Sequence, residues 1–382
     1  MNVGILSAAT GNGHISVAKA IMSKLEEKGA IVFLRENFFE ELMFSNKIMS
    51  NYYNFLLQSS TELCSKFSEH SYMSRPDLSE DFYRGTYDSI VSFLQERKYD
   101  VLISTSHTIN HAMLRVINEL KMKDAISYNI VVTDPFYPVS VGFDALGADH
   151  FFCTGKRVYN FLCKRGIDKD IITNIAYPVH PRFLREFTVE EINSIRERIG
   201  LKQNIPIVLI NSGSQGAYHY IQFLKNLLQE FTGVQVLFIS GKNETLYSMA
   251  SRVAETAGDR VKVVGYTDQM DEFIQMADVV VTKPGANAFF ECVYARKPML
   301  IDAINGFLFQ EKGVGEWLEL YKAGVIVNNL QEFSTKLSEV LTNWNYEHIT
   351  EGLHTDMPGG AEAIADSIWK RFVSSNESVS AQ

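Results

Sequence analysis

The sequence predicts an α/β protein built on two parallel sheets, and three observations carry that prediction. Short apolar runs without strict polar alternation recur along the chain, and helix-length segments separate them. The same unit of strand, glycine-rich loop and helix also occurs twice, as ILSAATGNGHISVAKAI near residue 5 and VLINSGSQGAYHYIQFL near residue 208. Strands that are apolar on both faces belong to parallel sheets covered by helices on either side, and their alternation with helices is the α/β arrangement.

Taken in order, the strand-like runs are VGILSA (3–8), IVFLR (31–35), DVLIST (100–105) and YNIVVTD (128–134) in the first half. The second half supplies PIVLINS (206–212), VQVLFIS (234–240), VKVVG (261–265), ADVVVTK (277–283) and PMLID (298–302). Between the two sets lies AYPVHPRFLREF (176–187), where two prolines stiffen an extended crossing. With 382 residues, two domains are expected, one over 1–182 and one over 183–356. An apolar-periodic helix over 357–374 is expected to return to the first domain, followed by a flexible tail over 375–382. Residues 46–73 are helical in period but crowded with Tyr, Phe, Leu and Met. Core packing is their plain reading, and an acceptor pocket or a membrane-touching flap is the functional one.

The net charge is -9, and the first half is near neutral while the second carries most of the acidic excess. A basic nucleic-acid footprint is absent from both halves, as is a strongly basic face for anionic lipid. Four cysteines without a C-x-x-C spacing suggest neither zinc nor a disulfide framework, and a reducing cytoplasm fits them best. The opening MNVGILSAATGNGH reads as a first strand and its loop and not as a signal peptide, and no run is apolar enough to span a bilayer.

A glycine-rich turn between a parallel strand and a helix lets backbone N–H groups and the helix N-terminus face an anion. The second half holds three such turns: Ser212-Gly213-Ser214-Gln215-Gly216, Ser240-Gly241-Lys242-Asn243-Glu244 and Lys283-Pro284-Gly285-Ala286. Together they point to a phosphorylated ligand. On the helix that follows Pro284, Asn287 and Glu291 share a face among Phe289, Phe290, Cys292 and Val293. A partly buried carboxylate there needs donors, which a ribose diol supplies without any metal; pairing with a local Arg or Lys is the plain alternative. In the first half, Gly11-Asn12-Gly13-His14 lacks the third glycine of a dinucleotide fingerprint. The helix dipole disfavours the charged form of His14, so a neutral imidazole there can serve as a general base, or it can be a structural hydrogen-bonder.

In this order the segments ILSAATGNGHISVAKAI, VVTD ending at Asp134, YPVHPRF, ISGKNETL, VVGYTDQMDEFIQMADVVVTKPGANAFFE and FQEK (309–312) resemble a family. It is that of the GT-B glycosyltransferases, with two Rossmann-like domains facing a cleft, in the branch of the diacylglycerol glucosyl- and galactosyltransferases and the peptidoglycan GlcNAc transferase. GNGH, GKNE and QEK look most like the diacylglycerol glucosyltransferases. The resemblance implies inverting transfer of a hexose from a UDP-sugar bound chiefly by the second domain, with no metal or other cofactor. By position, the loop of Ser212, Gly213 and Ser214 would approach the diphosphate, the backbone at Gly265 and Tyr266 would hold the uracil, Glu291 the ribose, and Gln310 and Glu311 sugar hydroxyls. Gly13, Gly241, Lys242, Asn243, Pro284, Gly285, Ala286 and Asn287 complete the implied donor contacts. His14 would be the base, with Asp134 a second candidate.

The implied partners are a UDP-sugar and a lipid acceptor such as diacylglycerol, with peripheral contact at the inner face of a membrane; nucleic acid is not among them. Lipid-transferring relatives carry a second glycine after Pro-Gly and Asn-Ala after Gln-Glu-Lys, where this chain has Ala286 and Gly313-Val314-Gly315. The alternatives are a soluble small-molecule acceptor, an enzyme similar to UDP-GlcNAc 2-epimerase, and a non-catalytic sugar-nucleotide sensor.

Overall fold

The computed structural model describes residues 1–343, 349 and 359–380. It holds two six-stranded parallel sheets. The first has the order β2-β1-β3-β4-β5-β6, with β1 Asn2–Leu6, β2 Ile31–Arg35, β3 Val101–Ser104, β4 Ser127–Val131, β5 His150–Cys153 and β6 Ile172–Asn174. The second has the order β12-β11-β10-β7-β8-β9, with β7 Ile207–Asn211, β8 Gln235–Ile239, β9 Val261–Val264, β10 Val279–Thr282, β11 Met299–Asp302 and β12 Gly324–Val327. All nine predicted strands are present. Missed were β5, β6 and β12, runs of three or four residues too short to show a period, and β6 and β12 lie at sheet edges.

Before the linker the helices are α1 Gly13–Glu27, α2 Phe38–Leu42, α3 Phe44–Ser59, α4 Thr61–Ser74, α5 Glu80–Glu96, α6 Asn110–Glu119 and α7 Lys156–Lys164. Then follow α8 Val189–Arg198, α9 Tyr220–Glu230, α10 Glu244–Ala257, α11 Met270–Met276, α12 Ala286–Tyr294, α13 Val314–Tyr321, α14 Leu330–Asn343 and, last, α15 Gly360–Ser380. The first compact unit gathers Met1–Tyr53, Lys66–Pro181 and α15; the second begins at Arg182 and also takes Asn54–Ser65. That short piece was expected in the first domain. It joins the second because Gln58 bonds there, its Nε2 donating to Gln215 O at 2.9 Å and its carbonyl accepting from Tyr218 N at 3.2 Å.

Why the first sheet closes so tightly is visible at Gly4 on β1. A methyl group there would lie 2.6 Å from Leu102 Cδ2 and 2.9 Å from the Tyr99 ring, so a glycine lets the fully buried Leu102 and Tyr99 pack onto the strand. In the second sheet β7, buried along its whole length, pairs with β10 and β8, and Phe223, Leu224 and Leu227 of α9 cover it.

Residues 46–73 form α3 and α4 rather than one helix, and core packing accounts for only part of them. Leu56 and Cys64 are buried, whereas Phe44, Ile48, Tyr52 and Phe55 recur at helical spacing along one exposed stripe of α3. At the other end of the chain, α15 packs on α1 with Ile364, Ala365 and Ile368 buried. Lys28 pairs with Asp366, and Arg371 Nη2 donates to Asn129 Oδ1 at 2.9 Å. This helix runs beyond the predicted end at 374, because Ser and Asn weaken a helix without breaking it. The boundary drawn at 356/357 and the tail residues 381–382 lie outside the described residues.

Gly360 opens α15 against the chain at 176–178, where a methyl group would sit 1.9 Å from Ala176 O and 2.8 Å from Pro178 N. Gly360→Ala is therefore expected to lower stability by about 1–3 kcal/mol, read as a fall in the urea midpoint; an unchanged midpoint would mean that α15 does not dock this way.

Candidate active site

The predicted site residues gather at the carboxyl ends of the two sheets, where parallel α/β sheets bind ligands. Each unit carries one such edge.

In the first unit, Gly11 and Asn12 both take positive φ and turn the chain from β1 into α1, which puts His14 in the first turn of that helix. His14 Nδ1 lies 3.0 Å from Thr133 Oγ1, and the His14 carbonyl accepts from Thr105 Oγ1 at 3.1 Å. With Nδ1–H donated to Thr133, Nε2 keeps its lone pair, the tautomer a general base needs. Burial lowers His14 to about 4, and His107 pushes in the same direction while Asp134 opposes it. The imidazole is thus neutral at pH 7.

Asp134, the second candidate base, has another occupation. Its Oδ2 accepts from Ser140 N at 2.9 Å and so staples the segment 134–140, while its charge raises the basicity of both His14 and His107. His107, at the end of β3, was not predicted as a site residue, nor was Thr133. The signal was there to use: His107 follows β3 as His14 follows β1, at the edge where ligands sit.

Asp77, His111 and Asp144 bring their ligand atoms within 4.8 Å of one another, which would suit a cation. Arg75 fills that role instead, with Nη2 2.8 Å from Asp77 Oδ2 and 3.0 Å from Asp144 Oδ1, and Arg165 adds a contact to Asp144 at 3.3 Å. Against burial, His111 and the two guanidinium groups hold Asp144 well below the usual carboxylate range.

In the second unit the turns after β7 and β8 are bound to each other through their backbones. Gly241, with φ +60°, has no room for a side chain, since a methyl group would lie 2.3 Å from Gly213 O and 2.6 Å from Ser214 O. Gly216 is equally confined, with Ser240 O at 2.0 Å from its added carbon. Lys242 N donates to Ser214 O at 2.9 Å, and Ser212 Oγ donates to Ile239 O at 2.6 Å. The amide of Asn243 is engaged at both ends, Nδ2 on Gly216 O at 2.8 Å and Oδ1 capping α10 at Leu246 N, 2.9 Å. Ser212 and Asn243 therefore build the loop, while Gly213 and Ser214 stand at its partly open face.

Lys283, quoted with its turn but not counted as a site residue, reaches the same place. Its Cε lies 3.0 Å from a carbon added at Gly213 and 3.4 Å from one added at Gly285. No carboxylate pairs with it among the described residues. Glu311 Oε1 is 3.8 Å from that same added carbon on Gly285, so the turn of Gln310 and Glu311 meets the Pro284-Gly285-Ala286 turn at the start of α12. His219 Nε2 and Asp302 Oδ2, 2.5 Å apart, add a pair at this edge that no local motif marks. Tyr266 is exposed after Gly265, with Lys242 Nζ 5.0 Å from its ring centre.

Glu291 lies one turn beyond Asn287 on α12, and its carboxyl has no hydrogen-bond partner among the described residues. Burial raises it to about 7, with Arg182 lowering it and Asp271 raising it further. A carboxyl raised in the folded state binds more protons there than in the unfolded chain, so it costs stability increasingly as pH climbs from about 4.5 to about 7. Glu291→Gln is accordingly expected to gain about 1–3 kcal/mol at pH 8 and nothing near pH 4, measured by denaturant unfolding at both pH values; equal effects at both would show that the carboxyl is not perturbed.

Two family sequence models match the chain, Monogalactosyldiacylglycerol (MGDG) synthase over residues 14–179 and Glycosyltransferase family 28 C-terminal domain over residues 207–302. A processive diacylglycerol β-glucosyltransferase of Bacillus subtilis (strain 168) is 23% identical, with 96% of this chain and 94% of that protein covered. Among solved structures, MurG of Acinetobacter baumannii aligns at a TM-score of 0.61 with 14% identity over 97% of this chain and 99% of its own. The UDP-GlcNAc 2-epimerase of Neisseria meningitidis bound to UDP-GlcNAc aligns at 0.62 with 11% identity, over 98% of this chain and all of its own. Those two likenesses are of fold. Both sequence models and the long alignment to the Bacillus protein lie in one group, and the chain belongs to the GT-B glycosyltransferase family that includes the diacylglycerol glucosyl- and galactosyltransferases and the peptidoglycan GlcNAc transferase.

Proposed function

We propose that this glycosyltransferase moves a hexose from a UDP-sugar to a hydroxyl of a diacylglycerol-type lipid, with inversion at the anomeric carbon. The observation that carries the donor half is Glu291, a half-buried carboxyl without a partner among the described residues, on the helix that opens at the anion-suited turn. Two ribose hydroxyls donate to it and favour its ionised form. Backbone N–H groups at Gly213 and Ser214, the N-terminus of α12 and the Lys283 ammonium then meet the diphosphate, so the charge on departing UDP is stabilised by fixed donors, with no metal required. Gln310 and Glu311 take sugar hydroxyls.

At the acceptor, His14 Nε2 removes the hydroxyl proton as the oxygen attacks the anomeric carbon, and the bond from that carbon to the phosphate oxygen breaks with its electrons leaving on UDP. The lipid choice rests on the relatives' own acceptors and on α3. Phe44 is 77% exposed and Phe55 59%, with Ile48 and Tyr52 between them, which suits a helix lying on a bilayer surface at the inner face of a cytoplasmic membrane. No helix among the described residues is long and apolar enough to cross a membrane.

The test is UDP release from UDP-glucose, UDP-galactose and UDP-GlcNAc, with and without diacylglycerol in mixed micelles, and mass spectrometry of the lipid. A lipid-dependent release with a hexose-sized gain is expected; release only with soluble acceptors would replace the lipid, and UDP binding without transfer to any acceptor would point to a sensor. Because ribose binding favours ionised Glu291, UDP affinity is expected to rise from pH 6 to pH 8, and this rise vanishes in Glu291→Ala, which binds about tenfold or more weakly. Lys283→Met weakens UDP more than uridine in the same calorimetric titration; an equal effect on both removes the lysine from the diphosphate. For the membrane, Phe44→Ser with Phe55→Ser is expected to abolish co-sedimentation with vesicles while leaving UDP affinity intact; full retention on vesicles would move the contact off α3.

A further inference from the structure

The acceptor edge holds a second imidazole that the base mechanism leaves unused. His107 and His14 have ring centres 5.7 Å apart, and the ring of Phe143 flanks His107 from 5.8 Å. His107 Nδ1 is 3.0 Å from Val141 O, and a carbonyl can only accept, so Nδ1 carries the proton and Nε2 the lone pair. His14 Nδ1 lies on the Thr133 hydroxyl, which accepts from it in the tautomer that leaves Nε2 as the base. Among the described residues neither Nε2 has a hydrogen-bond partner, and neither is sealed from outside. The two rings are tilted 53° to each other, close enough for a single acceptor hydroxyl at this edge to meet both imidazoles.

The surroundings fix His107 with unusual thoroughness for a loop residue. Asn110 Nδ2, itself fully buried, donates to Ser106 O at 3.0 Å, His107 O at 3.1 Å and Gly142 O at 3.0 Å. Tyr128 Oη donates to Asn110 Oδ1 at 2.8 Å and sets the amide's orientation. Gly142, with φ +89°, lies so close that an added methyl would be 2.0 Å from His107 O. This scaffold aims one ring edge and leaves its acceptor nitrogen open, which a residue kept only for packing does not require.

We propose that His107 is a second catalytic residue of the acceptor site, and that its Nε2 shares with His14 the proton removed from the acceptor hydroxyl. The inference rests on the transferase reading given above. The hydroxyl O–H bond breaks and the glycosidic C–O bond forms; UDP leaves with the electron pair. The proton stays as one positive charge on the two imidazoles, passed directly or across one bridging oxygen, until water takes it. Sharing matters here because burial disfavours an imidazolium on either ring. Asp134 is the charged group that favours it on both, and Asp77 acts on His107.

His107→Asn and His107→Gln separate the two ring nitrogens. An asparagine amide can keep the donor to Val141 O but offers nothing at the Nε2 position; a glutamine places an acceptor near Nε2. With the donor and lipid identified as above, His107→Asn is expected to lower kcat about 100-fold, with UDP affinity within about twofold of the parent. His107→Gln recovers part of the loss. Histidine ring 15N signals give a readout free of turnover: His14 and His107 shift together on acidification in the parent protein, and His14 titrates separately in His107→Asn. Full kcat in His107→Asn together with unlinked titration overturns the proposal, and a dead His14→Ala beside it would leave the base assignment standing. A fully active His14→Ala removes the base reading and this inference with it.

Discussion

The donor edge depends on backbone meeting backbone where two strands end. Gly241 carries no side chain because Gly213 O and Ser214 O occupy that volume, and Gly216 carries none because Ser240 O does. Any Cβ would push the turn after β7 away from the turn after β8 and misdirect the N–H groups that an anion would use. The shared edge follows from parallel pairing, since β7, β8, β10 and β11 all point their carboxyl ends the same way. Lys283 and Glu311 are brought to the same turn as a consequence, both within 4 Å of a carbon added at Gly285.

Around these edges a few buried amides hold the geometry. Asn243 joins the two donor turns to the start of α10, and Asn110 joins the loop after β3 to the segment at Gly142. Both tie backbone from separate segments together, which is how a loop gains the rigidity of a strand. Asp134 does similar work at Ser140 while its charge remains available to the histidines. The part that a polar residue plays is thus decided by what its atoms already touch.

The proposed chemical groups are those that fit their surroundings least well. Glu291 is raised and His14 lowered by the same cause, burial, and each therefore sits in the protonation state that hydroxyl chemistry can use or that a ligand can reverse. Sites of this kind trade folded-state stability for reactivity.

What the sequence determined by itself was the α/β class, nine strands and the position of each glycine turn, because apolar runs and strand-ending glycines are local signals. The positions of His14 and Glu291, on the helices that follow two of these turns, were legible for the same reason. Tertiary structure decided the rest. It joined Asn54–Ser65 to the second unit through Gln58, left one stripe of α3 bare where a core was expected, and gave Asp134 and Asn243 to backbone. It also set His107 beside His14 across 93 positions of sequence and Lys283 beside Gly213 across 70, pairings made by the order of strands in each sheet, which no local pattern encodes.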